Sequence, residues 1–318
     1  MQRSPIANWI PFQLSHSSQH EWIVKWMDLR DIRIIHPFFD ETIQVCRFRQ
    51  LERSQLVSLS STGFLTEVSE DLLSLEPSSF IFHVSRCGST LLSQAFSAPD
   101  ENIVIAEAPL LDEILRADEK QPEINLSTQE AWFRSAIKLM GQQRNFKETD
   151  YIIKLDSWHL HFYELLRTWY PQTPFFFLYR RPDEVIASHD KQRGIHAVPG
   201  MVNPALLKTK EPAYFGGNFN SYTAQVLEQY YLKLQAIFQS HHPNNYFYDY
   251  ANGSKKMVEA FSQFSGVPIR NADQVHTRLQ YHSKSTQEIF STEPPVNSEK
   301  FFFKDCHDTY EQLRSAIS

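Results

Sequence analysis

The residues best suited to chemistry in this chain form a short loop, Ser85-Arg86-Cys87-Gly88-Ser89-Thr90, followed directly by Leu91 and Leu92. Small residues let backbone N–H groups turn inward, and a helix opening at Ser89 adds the partial positive charge of its N-terminus. The hydroxyls of Ser89 and Thr90 are further donors, and Arg86 contributes a full charge. Such a loop binds a phosphate or a related oxyanion. Taken alone it says no more, because an ordinary strand-to-helix turn capped by Ser or Thr uses the same residue types. The ATP/GTP form G-x-x-x-x-G-K-[ST] is absent, since the loop has neither the first Gly nor a Lys before Ser89. A second anchor is the run Arg180-Arg181-Pro182-Asp183-Glu184-Val185-Ile186-Ala187-Ser188. Asp183 and Glu184 suit the start of a helix, but that does not account for the paired arginines. Ser188 lies just over two helical turns past Arg180, so the two can clamp a second phosphate.

Group transfer from an anchored donor needs a base for the acceptor proton and positive charge near the bridging and transferred oxygens. Arg86 and Lys154 are the natural cations. Three residues on this rim are candidates for the base: Glu107, Asp156 and His159. A carboxylate serves at neutral pH only where burial raises its pKa.

The elements that must position these groups alternate from residue 78 onward. Short apolar runs at 79–84, 103–105, 151–155, 173–179 and 245–248 read as buried strands. Helices are expected over 89–96, around 112–116, and over 129–144, 159–169, 221–240 and 254–264. Gly266 and Pro268 close the last of these, and Pro182 sits in a first helical turn. Alternation of this kind predicts an α/β fold with a central parallel sheet, and ligands in such sheets bind beyond the carboxyl ends of the strands. The loops after residues 84, 105, 155 and 179 share that rim, and all the candidate residues above lie in or beside them. Residues 1–75 mix aromatic runs with polar turns and read as a small N-terminal α/β or irregular subdomain, or cover; 76–318 would be the nucleotide-binding domain. The stretch 189–220, with Tyr214 and Phe215, suits a mobile cover over an acceptor.

Together, R-C-G-S-T at 86–90 and R-R-P-D-E-V-I-A-S at 180–188 resemble the donor-binding pattern of the sulfotransferase family that uses 3′-phosphoadenosine 5′-phosphosulfate (PAPS). The family pattern is a [KR]-x-G-[ST]-T loop after a strand and R-x-P-x-x-V-x-x-S after a later one. The resemblance covers roughly residues 78–290 and implies a P-loop-like three-layer sandwich. It also implies that Arg86, Cys87, Gly88, Ser89, Thr90 and Leu91 hold the 5′-phosphosulfate, and Arg180 with Ser188 the 3′-phosphate. Phe247-Tyr248-Asp249-Tyr250, with Phe264-Ser265-Gly266-Val267-Pro268 after it, is similar to the family's Y-E-x-L…F-L-G-x-P segment, so Tyr248 joins the expected nucleotide site. Ser283 and Lys284 lie where many members close over the nucleotide. Lys154 falls where the family often has a Lys, and Glu107 resembles the catalytic Glu of protein-tyrosine sulfotransferases and several bacterial members. Asp156 departs from the His of cytosolic small-molecule sulfotransferases. The implied reaction is in-line transfer of a sulfuryl group from PAPS to a hydroxyl or amine of a small-molecule acceptor, with no metal. The competing reading is an ATP- or GTP-dependent small-molecule kinase with a non-standard loop, in which Asp156 would hold Mg²⁺.

Bulk properties narrow the field. Of the 318 residues, 42% are hydrophobic and 14% aromatic, enough for a core and against disorder. A formal net charge of −6 excludes a globally basic nucleic-acid binder. Three scattered cysteines, Cys46, Cys87 and Cys306, make neither a disulfide framework nor a zinc site. No long apolar run suits a membrane span and residues 1–12 do not resemble a signal peptide, so the expected compartment is cytoplasmic. His159 and His161 are spaced i,i+2, which points their rings apart on a helix and argues against a metal pair. Tyr222, Tyr230, Tyr231 and Phe238 form a stripe expected to pack in the core.

Overall fold

Strands β1 (Trp9–His16), β2 (Trp22–Asp28), β3 (Ser58–Ser61), β4 (Ser79–His83), β5 (Asn102–Ala106), β6 (Asp150–Lys154), β7 (Phe175–Tyr179) and β8 (Asn245–Asp249) carry the fold in a computed structural model. It describes residues 6–17, 21–281 and 298–317. The first three strands make an antiparallel sheet in the order β1-β2-β3. The other five form the parallel sheet expected from the alternation, in the order β5-β6-β4-β7-β8, flanked by helices. Every residue of β4, β5 and β7 is buried, as a strand covered on both faces requires.

Two helix boundaries differ from expectation for local reasons. The helix expected over 129–144 runs Leu126–Met140, because the Asn125 side chain accepts the Thr128 N–H and starts it earlier. It stops at Gly141, where a Cβ would come within 2.6 Å of the Tyr151 ring. The helix expected over 159–169 is a 3₁₀ segment, Ser157–Phe162, running into an α-helix, Tyr163–Trp169. Its start is set by Asp156, whose N–H donates to His159 Nδ1 at 3.3 Å.

The chain divides into two compact units. One comprises the chain up to Phe80 together with Ser93–Leu155 and Ile269–Asn271. Here helices Phe39–Leu51 and Thr62–Glu70 accompany the antiparallel sheet, so the N-terminal part takes the α/β form of the two expected. Trp22 donates from its indole N–H to Gln121 at 2.6 Å and meets Trp132 edge-on at 5.5 Å. Helix Pro109–Leu115 buries Leu110, Leu111, Ile114 and Leu115, and its Glu113 carboxylate accepts the Leu14 N–H at 2.5 Å. Arg270 ties the starts of β5 and β6 together by donating to Asn102 at 2.7 Å and Asp150 at 2.5 Å.

The second unit comprises Ile81–Leu92, Asp156–Pro268 and the chain from Ala272 onward. Aromatic rings run through its core: Phe82 stacks on Phe177 at 5.0 Å, and Phe177 on Phe247 at 4.8 Å. Helix Phe219–Gln239 buries Tyr222, Tyr230 and Tyr231 completely, as the stripe predicts, while Phe238 is half-buried against Phe247. Helix Lys304–Ile317 packs beside it, with Tyr310 5.6 Å from Tyr231 and the Thr309 carbonyl accepting from Gln235 at 2.9 Å. Among the described residues no helix is long and apolar enough to cross a membrane.

Candidate functional site

The phosphate loop leaves β4 with its backbone bent into an uncommon shape. Ser85 has φ 70°, Arg86 φ 49° and Gly88 φ 86°. Glycine adopts that region freely, whereas Ser and Arg do so only where surrounding contacts hold them. Several contacts do. The Ser85 N–H donates to His83 Nδ1 at 3.0 Å, and the Val84 N–H donates to the Leu178 carbonyl of β7 at 3.1 Å. Cys87 is buried and its thiol lies 3.5 Å from the same carbonyl. That fits a small residue filling a tight loop rather than an exposed nucleophile. Helix Ser89–Ser97 follows at once, with Ser89 and Leu91 buried and Thr90 half-buried.

Arg180, at the carboxyl end of β7, reaches this loop. Its Nη1 donates to the Arg86 carbonyl at 3.0 Å, its Nε to Glu184 at 2.5 Å, and its own carbonyl accepts the Tyr231 hydroxyl at 2.7 Å. The Arg86 guanidinium donates to the Gln192 carbonyl, just past helix Pro182–Lys191. Pro182 opens that helix as expected, and Ser188 lies half-buried within it. The Arg180 guanidinium is thus shared between the Arg86 carbonyl and the Glu184 carboxylate, while the Arg86 guanidinium reaches out of the loop to the Gln192 carbonyl. The expected dipole acids have specific partners: Glu184 holds Arg180, and Asp183 pairs with Arg181 at 2.8 Å and lies 3.8 Å from His307.

Tyr250 was not singled out by the sequence, yet it touches the loop directly. Its ring occupies the space a Cβ on Gly88 would need, with Cδ2 at 2.7 Å from that position, and the Arg180 guanidinium stands 5.1 Å from the ring centroid. Tyr248, two residues earlier, is buried and donates its hydroxyl to the Gly253 carbonyl at 2.7 Å. Ser283 and Lys284 lie outside the described residues.

The other unit carries Glu107 and Lys154. Their backbones meet because Ala106 and Lys154 are register partners across β5 and β6, and the Glu107 N–H donates to the Lys154 carbonyl at 2.8 Å. Glu107 adopts φ 53°, another left-handed residue at a strand end. Its carboxylate forms an ion pair with the Lys154 ammonium. The lysine side chain is fully buried, the glutamate side chain is 23% exposed, and the ammonium lies 5.1 Å from the Phe38 ring centroid. The sequence treats these residues as separate candidates; they form one ion pair.

Asp156 has a local use. Its side chain accepts the His159 N–H while His159 Nδ1 accepts the Asp156 N–H, a reciprocal cap on the 3₁₀ segment. His161, on the same segment, has both ring nitrogens buried with no hydrogen-bond partner among the described residues. Burial, reinforced by Lys208 and Lys233, holds its pKa down at about 4.

No family model matches the chain, and no curated protein matches it in sequence. Among solved structures the chain is similar to a sulfotransferase from Alicyclobacillus acidocaldarius, at 15% identity and a TM-score of 0.45, over 76% of this chain and 96% of that one. It is similar to the sulfotransferase STF1 from Mycobacterium tuberculosis H37Rv, at 11% identity and a TM-score of 0.40, over 80% and 81% of the two chains. A third is mouse sulfotransferase SULT7A1 complexed with PAP, at 11% identity and a TM-score of 0.37, over 80% and 90%. All three are sulfotransferases, the class the two motifs resemble.

Proposed function

We propose that this protein is a sulfotransferase that takes the sulfuryl group of PAPS and passes it to a hydroxyl or amine of a small-molecule acceptor. The observation that carries the reading is the loop at 85–90, bent by left-handed residues at a helix N-terminus, carrying Arg86 and gripped at its Arg86 carbonyl by Arg180. Backbone N–H groups and a helix terminus suit the 5′-phosphosulfate, and Arg180 with Ser188 suits the 3′-phosphate. In the reaction the acceptor heteroatom bonds to sulfur as the S–O bond to the 5′-phosphate breaks, releasing 3′-phosphoadenosine 5′-phosphate. Glu107 takes the acceptor proton, and Arg86 and Lys154 balance negative charge gathering on the bridging and sulfuryl oxygens. The reciprocal cap on Asp156 favours Glu107 over Asp156 as the base.

Thermal stabilisation tests the donor. 3′-Phosphoadenosine 5′-phosphate without metal should raise the melting temperature, and ADP or GDP with magnesium should not. Stabilisation by the magnesium nucleotides alone would replace this reading with a kinase.

A further inference from the structure

We propose that His83 is a positioning residue for the phosphate loop, holding it in the shape that receives the 5′-phosphate of the nucleotide; this rests on the donor reading above. His83 ends β4 and is only 5% exposed, so its ring is fixed by the strand and the packing around it. Its Nδ1 accepts the N–H of Ser85, two residues on, at 3.0 Å. That bond closes immediately before the two consecutive left-handed side-chain-bearing residues, Ser85 at φ 70° and Arg86 at φ 49°. Such residues relax toward ordinary backbone unless something outside them fixes their geometry. On one side the Val84 N–H is fixed to the Leu178 carbonyl, and on the other Arg180 grips the Arg86 carbonyl. His83 supplies the contact between these two, at the N–H of the first left-handed residue.

The acceptor must be Nδ1 without its proton, so the chemistry asks for a lone pair one bond beyond Cγ on a buried side chain. Asparagine places an oxygen near that position. Glutamine, of similar polarity, carries its oxygen one bond further out. Leucine fills much of the volume and offers none.

Two measurements on the full chain decide the proposal: amide hydrogen exchange across residues 83–90 without ligand, and calorimetric titration with 3′-phosphoadenosine 5′-phosphate and with adenosine 3′-phosphate. His83→Asn should keep slow exchange and near-normal affinity. His83→Gln and His83→Leu should exchange faster and bind the bisphosphate about tenfold more weakly, the size expected for one lost buried hydrogen bond. Adenosine 3′-phosphate, which lacks the group the loop holds, should bind all four proteins alike. Unchanged exchange in His83→Gln and His83→Leu overturns the proposal, as does faster exchange with unchanged bisphosphate affinity. If the unmodified protein binds neither nucleotide, the donor reading falls and the 5′-phosphate role falls with it, while the exchange data still report whether His83 holds the loop. The asparagine and glutamine pair keeps the comparison open should the leucine variant fail to fold.

Discussion

Arg180 Nη1 donates to the main-chain carbonyl of Arg86 at 3.0 Å, so the end of β7 grips the phosphate loop directly. The same guanidinium donates through Nε to Glu184. One planar fork thus serves two differently directed acceptors, which a lysine ammonium on a flexible stem cannot reproduce.

Replacing Arg180 with lysine should weaken binding of 3′-phosphoadenosine 5′-phosphate by about ten- to a hundredfold, the scale of a lost charge-assisted contact with the 3′-phosphate in the proposed site. Adenosine 5′-phosphate, lacking the 3′-phosphate, should lose far less. Calorimetric titration of both ligands reads the difference. Equal losses would mean that Arg180 only shapes the loop and does not meet the 3′-phosphate.

The Glu107–Lys154 ion pair yields a prediction in which stability and turnover part company. Glu107→Gln leaves a fully buried ammonium without its counter-charge, which typically destabilises by about 3 kcal/mol. Sulfuryl transfer should fall at least a hundredfold, the ordinary scale for removing a general base. Adding Lys154→Met removes the orphaned charge, so the double variant should recover most of the lost melting temperature and none of the turnover. Recovery of activity alongside stability would remove both Glu107 and Lys154 from the catalytic machinery.

How much of this was legible in the sequence depends on the range of the contact. β7 was visible because five consecutive residues, Phe175–Tyr179, are buried on both faces, and burial of that kind writes itself as an apolar run. Pro182 at the first helical turn and Gly88 at φ 86° follow from local backbone rules in the same way. The Glu107–Lys154 pair was legible as two rim residues but not as a pair, since their meeting depends on the register of β5 against β6. His83 was hidden because a histidine at the end of an apolar strand reads as one more buried residue. Tyr250 was hidden for another reason. β8 ends at Asp249 and a 3₁₀ turn, Tyr250–Asn252, carries the ring onto Gly88, a contact between distant residues that no local pattern announces. Asp156 was readable as an acid at a strand end, whereas its capping partnership with His159 needed coordinates.

Gly88 and Tyr250 should be coupled in binding. A Cβ at Gly88 collides with the Tyr250 ring and also meets an unfavourable φ, so Gly88→Ala suffers twice. The steric part is removable. Affinity for 3′-phosphoadenosine 5′-phosphate should fall sharply in Gly88→Ala and partly return in Gly88→Ala/Tyr250→Ala, with a coupling of about 1–2 kcal/mol, typical of residues in contact. Strictly additive effects in the double-mutant cycle would place the whole cost in the backbone.

Two buried titratable groups should give the stability curve opposing slopes. Burial raises the Glu113 pKa from 4.5 to about 7, with the Leu14 N–H only partly countering it. Its folded state therefore holds a proton that the unfolded state releases, and stability falls as pH rises from about 4.5 to 7. His161 does the reverse. Its folded pKa, about 4 against 6.5, means that the unfolded state binds the proton first, so stability falls as pH drops through that window. Each shift corresponds to roughly 3 kcal/mol at its full extent. Between these limits the two slopes largely cancel in the unmodified protein, and single substitutions should expose them. Glu113→Gln, which can still accept the Leu14 N–H, should match the parent near pH 4.5 and exceed it in melting temperature at pH 8. His161→Phe should gain melting temperature relative to the parent as pH falls from about 7 to 4.5. Melting curves from pH 4 to 8 decide both. A constant offset across the whole range, in either variant, would mean that the residue contributes packing and not a proton.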